Sequence, residues 1–426
     1  MILAGLALIA MVLLGAPLFA VIAATVLLNF AREDVDLTVV IIEIYRLAEM
    51  PVLLAIPLFT FAGYLLAESN ASHRLVRLTN VFFGWMPGGL AVVALVICAM
   101  FTAFTGASGV TIVALGGLLY PALKQAGYPE RYSLGLVTVS GSIGLLFAPS
   151  LPLILYGVVA QQLNIGHPVA IGDLFLAGIL PGLLIIFLLS LYGFWQKRGP
   201  QAAHEPFSAR EALASLRDAA WELPLPVIVL GGIYSGYFAV SEAAAVTAIY
   251  VFIVEVFIHR EISFVALPKV MRESMVLVGA ILIVLGMSLA STNYLLDAEI
   301  PSQLFTYIRN HVHDAFSFLL LLNLFLLVLG MMLDIFSALV IMVPLILPIA
   351  VGYGIHPVHL GIIFLSNMEI AYLMPPMGMN LFIAIYRFDR PMLEIFRAVL
   401  PFVAILLVAV LIITYWPELS LALIKH

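Results

Sequence analysis

Two short polar patches inside long apolar stretches decide the fold. The first is Phe104-Thr105-Gly106-Ala107-Ser108-Gly109-Val110-Thr111, within the apolar stretch from Met86 to Leu123, and the second is Leu333-Asp334-Ile335-Phe336-Ser337, within the stretch from Ala315 to Val351. Glycine permits a tight turn, and backbone groups that a turn frees cannot face lipid. We therefore predict that each stretch is a re-entrant hairpin, which enters and leaves a membrane on one side.

The composition places the whole chain in a membrane. Of 426 residues, 64% are hydrophobic and only 10% are charged, whereas an average globular chain carries about a quarter charged residues. The net charge of −6 without a basic tract argues against nucleic acid as a partner. The single cysteine, Cys98, excludes a disulfide framework and a multi-cysteine metal centre.

Outside the hairpins, nine apolar segments have about the 20 residues that crossing a bilayer requires. They are Ile2 to Phe30, Pro51 to Ala67, Ser133 to Gln162, Ile171 to Gln196, Trp221 to Val240, Glu242 to Ile258, Ser274 to Thr292, Val358 to Tyr386 and Ile395 to Trp416. The sequence thus predicts nine crossings and two hairpins.

The 18 basic residues of the sequence sort unequally between the two sides under this topology. Four fall on one side, Arg32, Arg46, Arg309 and Lys425, and the other fourteen fall on the opposite side. Cytoplasmic loops are enriched in Lys and Arg. The amino terminus is therefore predicted to be cytoplasmic and the carboxyl terminus periplasmic, with the first hairpin opening to the cytoplasm and the second to the exterior.

The sequence also repeats weakly at a shift of about 226 to 230 positions. Tyr64-Leu65-Leu66 matches Tyr294-Leu295-Leu296, and four single residues match in the same order: Pro121 with Pro348, Gly127 with Gly354, Gly135 with Gly361 and Pro149 with Pro375. Because the charge distribution puts the two hairpins on opposite sides, the repeat is predicted to be inverted. Inverted repeats are typical of secondary transporters, whose sites lie at the midplane between the copies.

The transporter family that these motifs resemble, named below, implies a division into scaffold and transport parts. Scaffold helices with a surface arm occupy residues 1–85, and half of a transport domain occupies 86–165. Further scaffold occupies 166–314, with a cytoplasmic linker at 197–221 and a second arm at 259–273. The other half of the transport domain is 315–390, and 391–426 is a last scaffold helix. Within the linker, Ser208 to Glu211 has the form of a capping box and predicts a surface helix. The segments Ala31 to Glu49 and Ile262 to Glu273 are predicted to lie along the interface, with a solvated loop as the alternative.

Each span after a hairpin is predicted to be broken. The first breaks at Ser140-Gly141-Ser142 and at Ala148-Pro149-Ser150-Leu151-Pro152, and the second from Asn367-Met368-Glu369 through Pro375-Pro376. Carbonyls freed at a break suit Na⁺, and helix amino ends suit a carboxylate. Close packing of small residues is the alternative reading. We predict one sodium site at Gly106, Ser108, Gly109, Ser140 and Ser142, and a second at Asp334, Ser337, Glu369 and Pro375. The predicted substrate contacts, between the hairpin tips, are Ala107, Ser150, Phe336 and Asn380.

The buried acids admit two interpretations. A carboxylate near mid-bilayer costs at least about 2.5 kcal/mol, so Asp334 and Glu369 either lie near the second ion or accept backbone donors at the breaks. Glu242 is interpreted as a helix start, and Asn380 as a substrate contact or a bridge between helices.

All nine histidines are expected in loops or at the chain end, so we expect no buried histidine site and no transition metal. No ATP-binding loop or hydrolase motif occurs in the sequence. We therefore expect no enzyme activity.

At these motifs the sequence resembles the large membrane subunit of tripartite ATP-independent periplasmic (TRAP) transporters. The matching phrases are residues 104–111, 149–157 (PSLPLILYG), 330–334 (GMMLD) and 367–382, which includes NMEI and PPMGMNLF. One departure is Ala371-Tyr372-Leu373-Met374, where many members read Gly-Leu-Leu-Thr, so a hydroxyl ligand for the second sodium is missing and backbone carbonyls would replace it.

The resemblance implies an all-α polytopic membrane protein of the elevator type in the bacterial inner membrane. It implies sodium-driven import of a small organic acid, a periplasmic substrate-binding protein, and a small four-helix membrane subunit as a separate chain. Na⁺ would be the coupling ion, and no organic cofactor is implied. Two alternatives stay open: a stand-alone carboxylate carrier of related architecture, and an intramembrane enzyme that uses Asp334 and Glu369 as an acid and base pair.

Overall fold

The computed structural model describes residues 7–8, 10–11, 14–32, 36–83, 88–196, 208–376 and 378–424. Over these ranges the regular structure is helical, and no β-strand occurs, as the sequence predicts. Parts of several predicted features lie outside the described residues: the beginning of the first span, residues 33–35 of the first arm, residues 84–87 at the start of the first hairpin, residues 197–207 of the linker, Met377 and Lys425.

The first half of the chain contains a group of outer helices, a hairpin and a broken helix. The outer helices are α1 (Leu18–Arg32), α2 (Thr38–Ala48), α3 (Ala55–Glu68) and α4 (Ala71–Phe83). The hairpin arms are α5 (Gly89–Thr105) and α6 (Ser108–Gln125), the broken helix is α7 (Glu130–Ile143) with α8 (Leu151–Leu163), and α9 (Ile171–Ala177) and α10 (Ile179–Gln196) complete the half.

The second half repeats this order after the linker, which contains the helix α11 (Ala209–Asp218). Its outer helices are α12 (Pro224–Tyr234), α13 (Val240–Phe252), α14 (Leu267–Asp297) and α15 (Ile300–His311). The hairpin arms are α16 (Ala315–Gly330) and α17 (Ile335–Gly352), the broken helix is α18 (Pro357–Ala371) with α19 (Met379–Phe388), and α20 (Met392–Tyr415) and α21 (Glu418–Leu421) end the chain.

The two halves match as an inverted repeat, as predicted. The arms that follow the two tips, α6 and α17, have 18 residues each. Each of these arms packs against the half-helix beyond the break in the other copy, because α6 contacts α19 and α17 contacts α8. The copies are thus interlocked at the two hairpins.

The hairpin tips are short because the sequence supplies the right residues at the turns. Gly106 ends α5 with φ of +65°, a left-handed conformation that favours glycine, and α6 begins two residues later. At the second tip, Asp334 caps α17 by accepting hydrogen bonds from the backbone N–H groups of Phe336 and Ser337, both at 3.1 Å. Both tips lie where the sequence places them.

Each helix break occupies only the later part of the segment predicted to be broken, the part that contains the prolines. Helix α7 continues through Ser140 and Ser142, and the break follows as a 3₁₀ turn, Gly144–Leu146, and the segment to Ser150. Likewise α18 continues through Asn367 and Glu369 to Ala371. The Ser140 and Ser142 hydroxyls donate to carbonyls three residues back, at 3.1 and 3.2 Å. Polar side chains thus fit inside a helix by bonding to it, whereas proline lacks the N–H that continues a helix.

The described helices do not correspond one to one with the nine predicted crossings. Seven described helices are long and apolar enough to span a membrane, or eight if the bent pair α15 and α16 counts as one span. The predicted span Trp221 to Val240 contains only the 11-residue α12, and Val358 to Tyr386 is divided by its break. One of the seven, Ile335–Gly352, is the second arm of a hairpin. Length alone therefore does not separate a crossing from a re-entrant arm.

The two predicted arms differ from each other. The first contains a separate amphipathic helix, α2, which packs against α14. In the second, Leu267 to Glu273 forms the first turns of α14 and continues into the span without interruption. The linker helix α11 begins as predicted at Ser208, whose hydroxyl accepts from the Glu211 N–H at 3.4 Å. The Glu211 carboxylate instead accepts from Arg77 of α4 at 2.7 Å, which ties the linker to the bundle.

The prediction that every histidine lies in a loop or at the chain end is wrong. His73 lies in α4, and His359 lies in α18 with 2% of its surface exposed. The His359 ring contacts the Ser420 hydroxyl and the Thr414 carbonyl, both at 3.2 Å. Those two partners come from the end of the chain, so sequence spacing did not indicate that this histidine is satisfied inside the protein.

Two sets of helices pack extensively, and they also contact each other, because α4 packs on α5 and α15 packs on α17. Helices α1, α2 and α3 pack against α14, and α3 also packs closely on α13. Helices α10 and α20 instead pack with the hairpins and broken helices. Close approach is visible at Gly135, where an added Cβ would lie 2.4 Å from the Ala398 carbonyl oxygen of α20, and in the ring contact of Tyr132 with Phe402 at 5.4 Å.

Candidate functional site

One cavity lies where both hairpin tips approach the middle of α14. Its volume is about 840 Å³. The first hairpin contributes residues 106–110, the second contributes residues 334–337, and the two breaks contribute Leu145, Tyr372 and Met379. Helix α14 forms the opposite wall with residues between Met275 and Val284. The cavity therefore lies between α14 and the hairpins, and interrupted backbone from both copies lines it.

The first hairpin presents an uncapped helix start to the cavity. Gly106, Ala107, Ser108 and Gly109, all predicted site residues, line it. No side chain caps the start of α6, so the first N–H groups of that helix lack side-chain acceptors. A Cβ on Gly106 would lie 2.4 Å from the Leu151 side chain. Glycine is thus required at the tip both for its φ and for the space beside α8.

A hydroxyl pair fixes this tip to the first broken helix. Thr102 donates to the Gly141 carbonyl at 2.9 Å, and its oxygen lies 2.6 Å from the Thr111 hydroxyl. Both threonines are buried. Arm, tip and broken helix are therefore joined by side chains that the sequence analysis did not single out, although hydroxyls inside apolar arms were a visible signal.

The second tip is held differently. Asp334, Phe336 and Ser337, all predicted site residues, line the cavity. Asp334 accepts backbone donors at the start of α17, the second of its two interpretations, and at the same time faces the cavity. The Ile335 N–H donates to the Tyr372 hydroxyl at 2.8 Å, and the Tyr372 carbonyl accepts from the Asn380 N–H at 3.2 Å. Tyr372, in the segment that departs from the family pattern, thus connects the second tip to the second break.

Several other predicted site residues are buried but do not line the cavity. They are Ser140, Ser142, Ser150, Glu369 and Asn380. The Ser150 hydroxyl donates to the Leu145 carbonyl at 2.5 Å, inside the first break. Pro375 lies in the second break and is half-buried. The Asn380 amide approaches the Thr138 carbonyl at 3.5 Å, which agrees with the interpretation of Asn380 as a bridge between helices.

Buried acceptor atoms without donors gather on the helices that flank the second break. Neither Glu369 carboxylate oxygen has a hydrogen-bond partner among the described residues, and the same holds for the Asn380 side-chain carbonyl. Glu369 is 1% exposed. An isolated ionised carboxylate in such a place is very costly. Glu369 therefore either carries a proton or lies beside a cation, and it does not accept a backbone donor as one interpretation proposed.

The described residues contain no group of three or more His, Cys, Asp or Glu side chains arranged to hold a metal ion. The oxygen atoms available near the tips are instead carbonyls, serine hydroxyls and single carboxylates. Such oxygens, freed at unwound helix segments, are the ligands that alkali cations use in transporters. The Glu242 carboxylate accepts from the Ala239 N–H at 2.8 Å and, as interpreted, serves a helix start.

The cavity continues toward the Leu267 end of α14. A second cavity of about 390 Å³ shares Gly109, Val110 and Ile383 with it, and a third of about 720 Å³ shares Tyr64 and Glu273 with the second. Lys269 stands at this end, 3.6 Å from Glu68 and 3.9 Å from Glu273. The sequence did not predict this route, because its wall is formed by α14, whose apolar residues carry no distinctive chemistry.

Comparison with known proteins identifies one family. The family model described as "Tripartite ATP-independent periplasmic transporter, DctM component" matches residues 5–419. The C4-dicarboxylate TRAP transporter large permease protein DctM of Pseudomonas aeruginosa is 36% identical over 90% of this chain and 88% of its own. The protein of the same name from Rhodobacter capsulatus is 32% identical over 98% and 97%. The sialic acid TRAP transporter large permease protein SiaM of Vibrio cholerae is 32% identical over 87% and 86%.

Two solved structures share the fold. The YdaH transporter of Alcanivorax borkumensis superposes with a TM-score of 0.65 at 16% identity, covering 91% of this chain and 89% of its own. MtrF of Neisseria gonorrhoeae superposes with a TM-score of 0.55 at 15% identity, covering 86% and 80%. At such identities the likeness concerns the architecture alone.

Proposed function

Because this chain belongs to the DctM family of TRAP transporter large permeases, we propose that it imports a small organic acid by sodium-coupled secondary transport. It resides in the bacterial inner membrane and works with a small four-helix membrane subunit and a periplasmic binding protein that delivers the acid. The observation that carries this proposal is the cavity at which both hairpin tips and both breaks meet.

The shape of the cavity favours a carrier. Interrupted backbone at membrane depth is stable only where protein or a water-filled cavity surrounds it, and here it surrounds a space large enough for a small acid. The side cavities lead toward the Leu267 end of α14, which the distribution of basic residues makes cytoplasmic. The conformation is then inward-facing. The competing enzyme reading needs Asp334 and Glu369 together, yet only Asp334 lines the cavity.

The sodium ions have different surroundings in the two copies. In the first, the carbonyls and hydroxyls near Gly106, Ser108, Gly109, Ser140 and Ser142 supply neutral oxygens. In the second, Asp334, Ser337, Glu369 and Pro375 surround or support the site. The donor-free Glu369 oxygens support a bound cation there. Since no hydroxyl stands immediately before Pro375, backbone carbonyls of residues 371–374 complete the ligand set.

The acid lies between the tips, beside Ala107 and Phe336. Its carboxylate accepts from the free N–H groups at the start of α6, where no side chain competes. Ser150 and Asn380 support the site without lining the cavity, because each bonds to the backbone of a broken helix. Relatives are named for C4-dicarboxylates, isethionate, ectoine and sialic acid, so the class is a small polar acid or zwitterion.

Alternating access moves the hairpin group as one body along the outer helices. We assign α1 to α4 and α11 to α15 to the scaffold. The hairpins and broken helices form the transport domain, and the packing of α10 and α20 on them supports placing these two helices in the moving body as well. The sequence analysis assigned residues 166–314 and 391–426 to the scaffold, so this proposal transfers α10 and α20 from the scaffold to the transport domain.

Reconstitution tests this function. The chain and its small subunit are placed in liposomes, and uptake of radiolabelled succinate, isethionate, ectoine and sialic acid is measured with the binding protein outside. We expect accumulation of one of these acids only with an inward sodium gradient. Accumulation that is unchanged without the gradient would refute sodium coupling, and full uptake without the binding protein would favour the stand-alone carrier.

A further inference from the structure

A hydrogen bond crosses from the outer helix α14 to the second hairpin. The Ser288 hydroxyl donates to the Val340 carbonyl of α17 at 2.7 Å, and Ser288 is 3% exposed. The Val340 carbonyl is free to accept because Pro344, four residues later inside α17, has no N–H to donate. A proline in the hairpin and a serine in the outer helix thus complement each other across the boundary between the two bodies.

A second hydroxyl lies on the same face of α14, one turn further toward Asp297. Thr292 is four residues after Ser288 and is 7% exposed. Within the part of the chain that the structure describes, its hydroxyl makes no hydrogen bond. Residues four apart on a helix lie one above the other, about 6 Å along the axis. The Thr292 hydroxyl is therefore placed to receive a carbonyl that slides along α14 by one turn.

We propose that Ser288 and Thr292 are alternate partners of the Val340 carbonyl, and so act as positioning residues for the two conformations of the transporter. The proposal rests on the proposed elevator motion. In the present conformation the cavity continues toward the Leu267 end of α14, so opening toward the other side requires the hairpins to move toward Asp297. That movement carries the Val340 carbonyl from Ser288 to Thr292. Packed elements exchange between discrete arrangements of this kind, including one-turn steps.

Each hydroxyl would then stabilise one conformation and not the other. A hydrogen bond of 2.7 Å is lost within a displacement of about 1 Å, so Ser288 serves only the present conformation. Removing either hydroxyl leaves the Val340 carbonyl without a donor in one conformation alone. The typical strength of a buried or interhelical hydrogen bond corresponds to a change of about three- to tenfold in the ratio of the two populations.

The test measures that ratio by the distance between two spin labels in the complete transporter in lipid nanodiscs, without sodium or acid. The labels are carried by V265C in the loop before α14 and L324C on α16, two sites with 90% and 61% of their surfaces exposed. Cys98 is buried, and the parent chain without added cysteines checks that it is not labelled. The variants are Ser288→Ala, Thr292→Val, the pair together, and Ser274→Ala. In the last variant the lost hydroxyl bonds only within α14, to the Met271 carbonyl at 3.0 Å.

We expect opposite shifts. Ser288→Ala raises the population of the second distance about three- to tenfold, Thr292→Val lowers it by a similar factor, the double variant returns toward the parent ratio, and Ser274→Ala leaves the ratio unchanged. If neither single variant changes the population of the second distance, or if both change it in the same direction, the exchange of partners is overturned and the elevator motion stands. A single distance in every variant overturns both. Because the distances are measured without sodium, an absence of sodium coupling in the uptake assay would not change them.

Discussion

At the scale of single residues, burial of the Glu369 carboxylate is costly, and no described residue compensates for it with a hydrogen bond. Its carboxylate is buried, and neither oxygen finds a donor among the described residues. A residue in this situation lowers the stability of the empty protein and is stabilised by whatever cation or proton it binds. The sequence indicated its importance, whereas the direction of its side chain needed coordinates.

Glu369→Gln should separate these two effects. Glutamine keeps the shape and removes the charge, so we expect the melting temperature in sodium-free buffer to stay equal or rise. The increase in melting temperature that sodium brings should shrink, and the sodium concentration for half-maximal uptake should rise at least about tenfold. Thermal unfolding and uptake are measured across a sodium series.

Glu242→Gln is the matched control, because Glu242 bonds only to the N–H of Ala239 at an exposed helix start. It should leave the sodium dependence unchanged. An unaltered sodium response in Glu369→Gln would remove Glu369 from the ion site.

Gly106 permits a comparison in which backbone strain and steric clash are separated. Both Gly106 and Gly127 have positive φ, +65° and +85°, but a Cβ at Gly106 meets Leu151 at 2.4 Å, whereas nothing lies within 4 Å at Gly127. Gly127→Ala should cost about 1 kcal/mol and retain uptake. Gly106→Ala should cost more and abolish uptake, because it displaces the tip. Equal uptake in the two variants would show that the tip tolerates displacement.

At the scale of elements, the second break is held to the second hairpin by Tyr372. Its hydroxyl accepts the Ile335 N–H while its carbonyl accepts the Asn380 N–H. One residue therefore connects tip, break and half-helix. The hairpin arms themselves, α16 and α17, touch each other only sparingly, so this connection matters for the position of the tip.

Tyr372→Phe should loosen the second tip without unfolding the protein. The variant leaves a buried N–H without an acceptor, a loss of about 1 to 3 kcal/mol. We expect a higher KM for the acid with a smaller change in the maximal rate, measured by uptake at saturating sodium. Tyr415→Phe is the control, since its hydroxyl bonds to the Phe316 carbonyl at an exposed site. A KM that changes equally in both variants would contradict a specific role for Tyr372.

The elements also show what could be predicted from the sequence. The hairpin tips were predictable because Gly106 and Asp334 each interrupt a long apolar run. The breaks were predictable at the proline segments, because Pro149 and Pro375 lie within them. They do not extend to Ser140 and Asn367, whose polar side chains bond within their own helices. The α14 wall was not predictable, since residues such as Ile281 and Val284 are indistinguishable from lipid-facing ones until their neighbours are known.

At the scale of the whole molecule, orientation follows from the unequal distribution of basic residues. Gln125 ends α6 and Gln303 lies in α15, and both are exposed. A membrane-impermeant thiol reagent added to intact spheroplasts should label Gln303→Cys at once, and Gln125→Cys only after permeabilisation. Buried Cys98 supplies an unreactive background. The reverse pattern would invert the topology, and with it the assignment of the present conformation as inward-facing.

The charges that line the cavity between the hairpin tips bear on how transport responds to the membrane voltage. Among the lining side chains that the structure describes, Asp334 is the one carboxylate, and none is Lys, Arg or His. This lining thus offers no fixed positive charge to offset a travelling anion, and under the proposed sodium coupling the co-transported cations would supply that offset. Each net elementary charge that crosses gains or loses about 2.3 kcal/mol per 100 mV. The membrane voltage, and not the concentration ratio alone, should then set how steeply the solute can be concentrated.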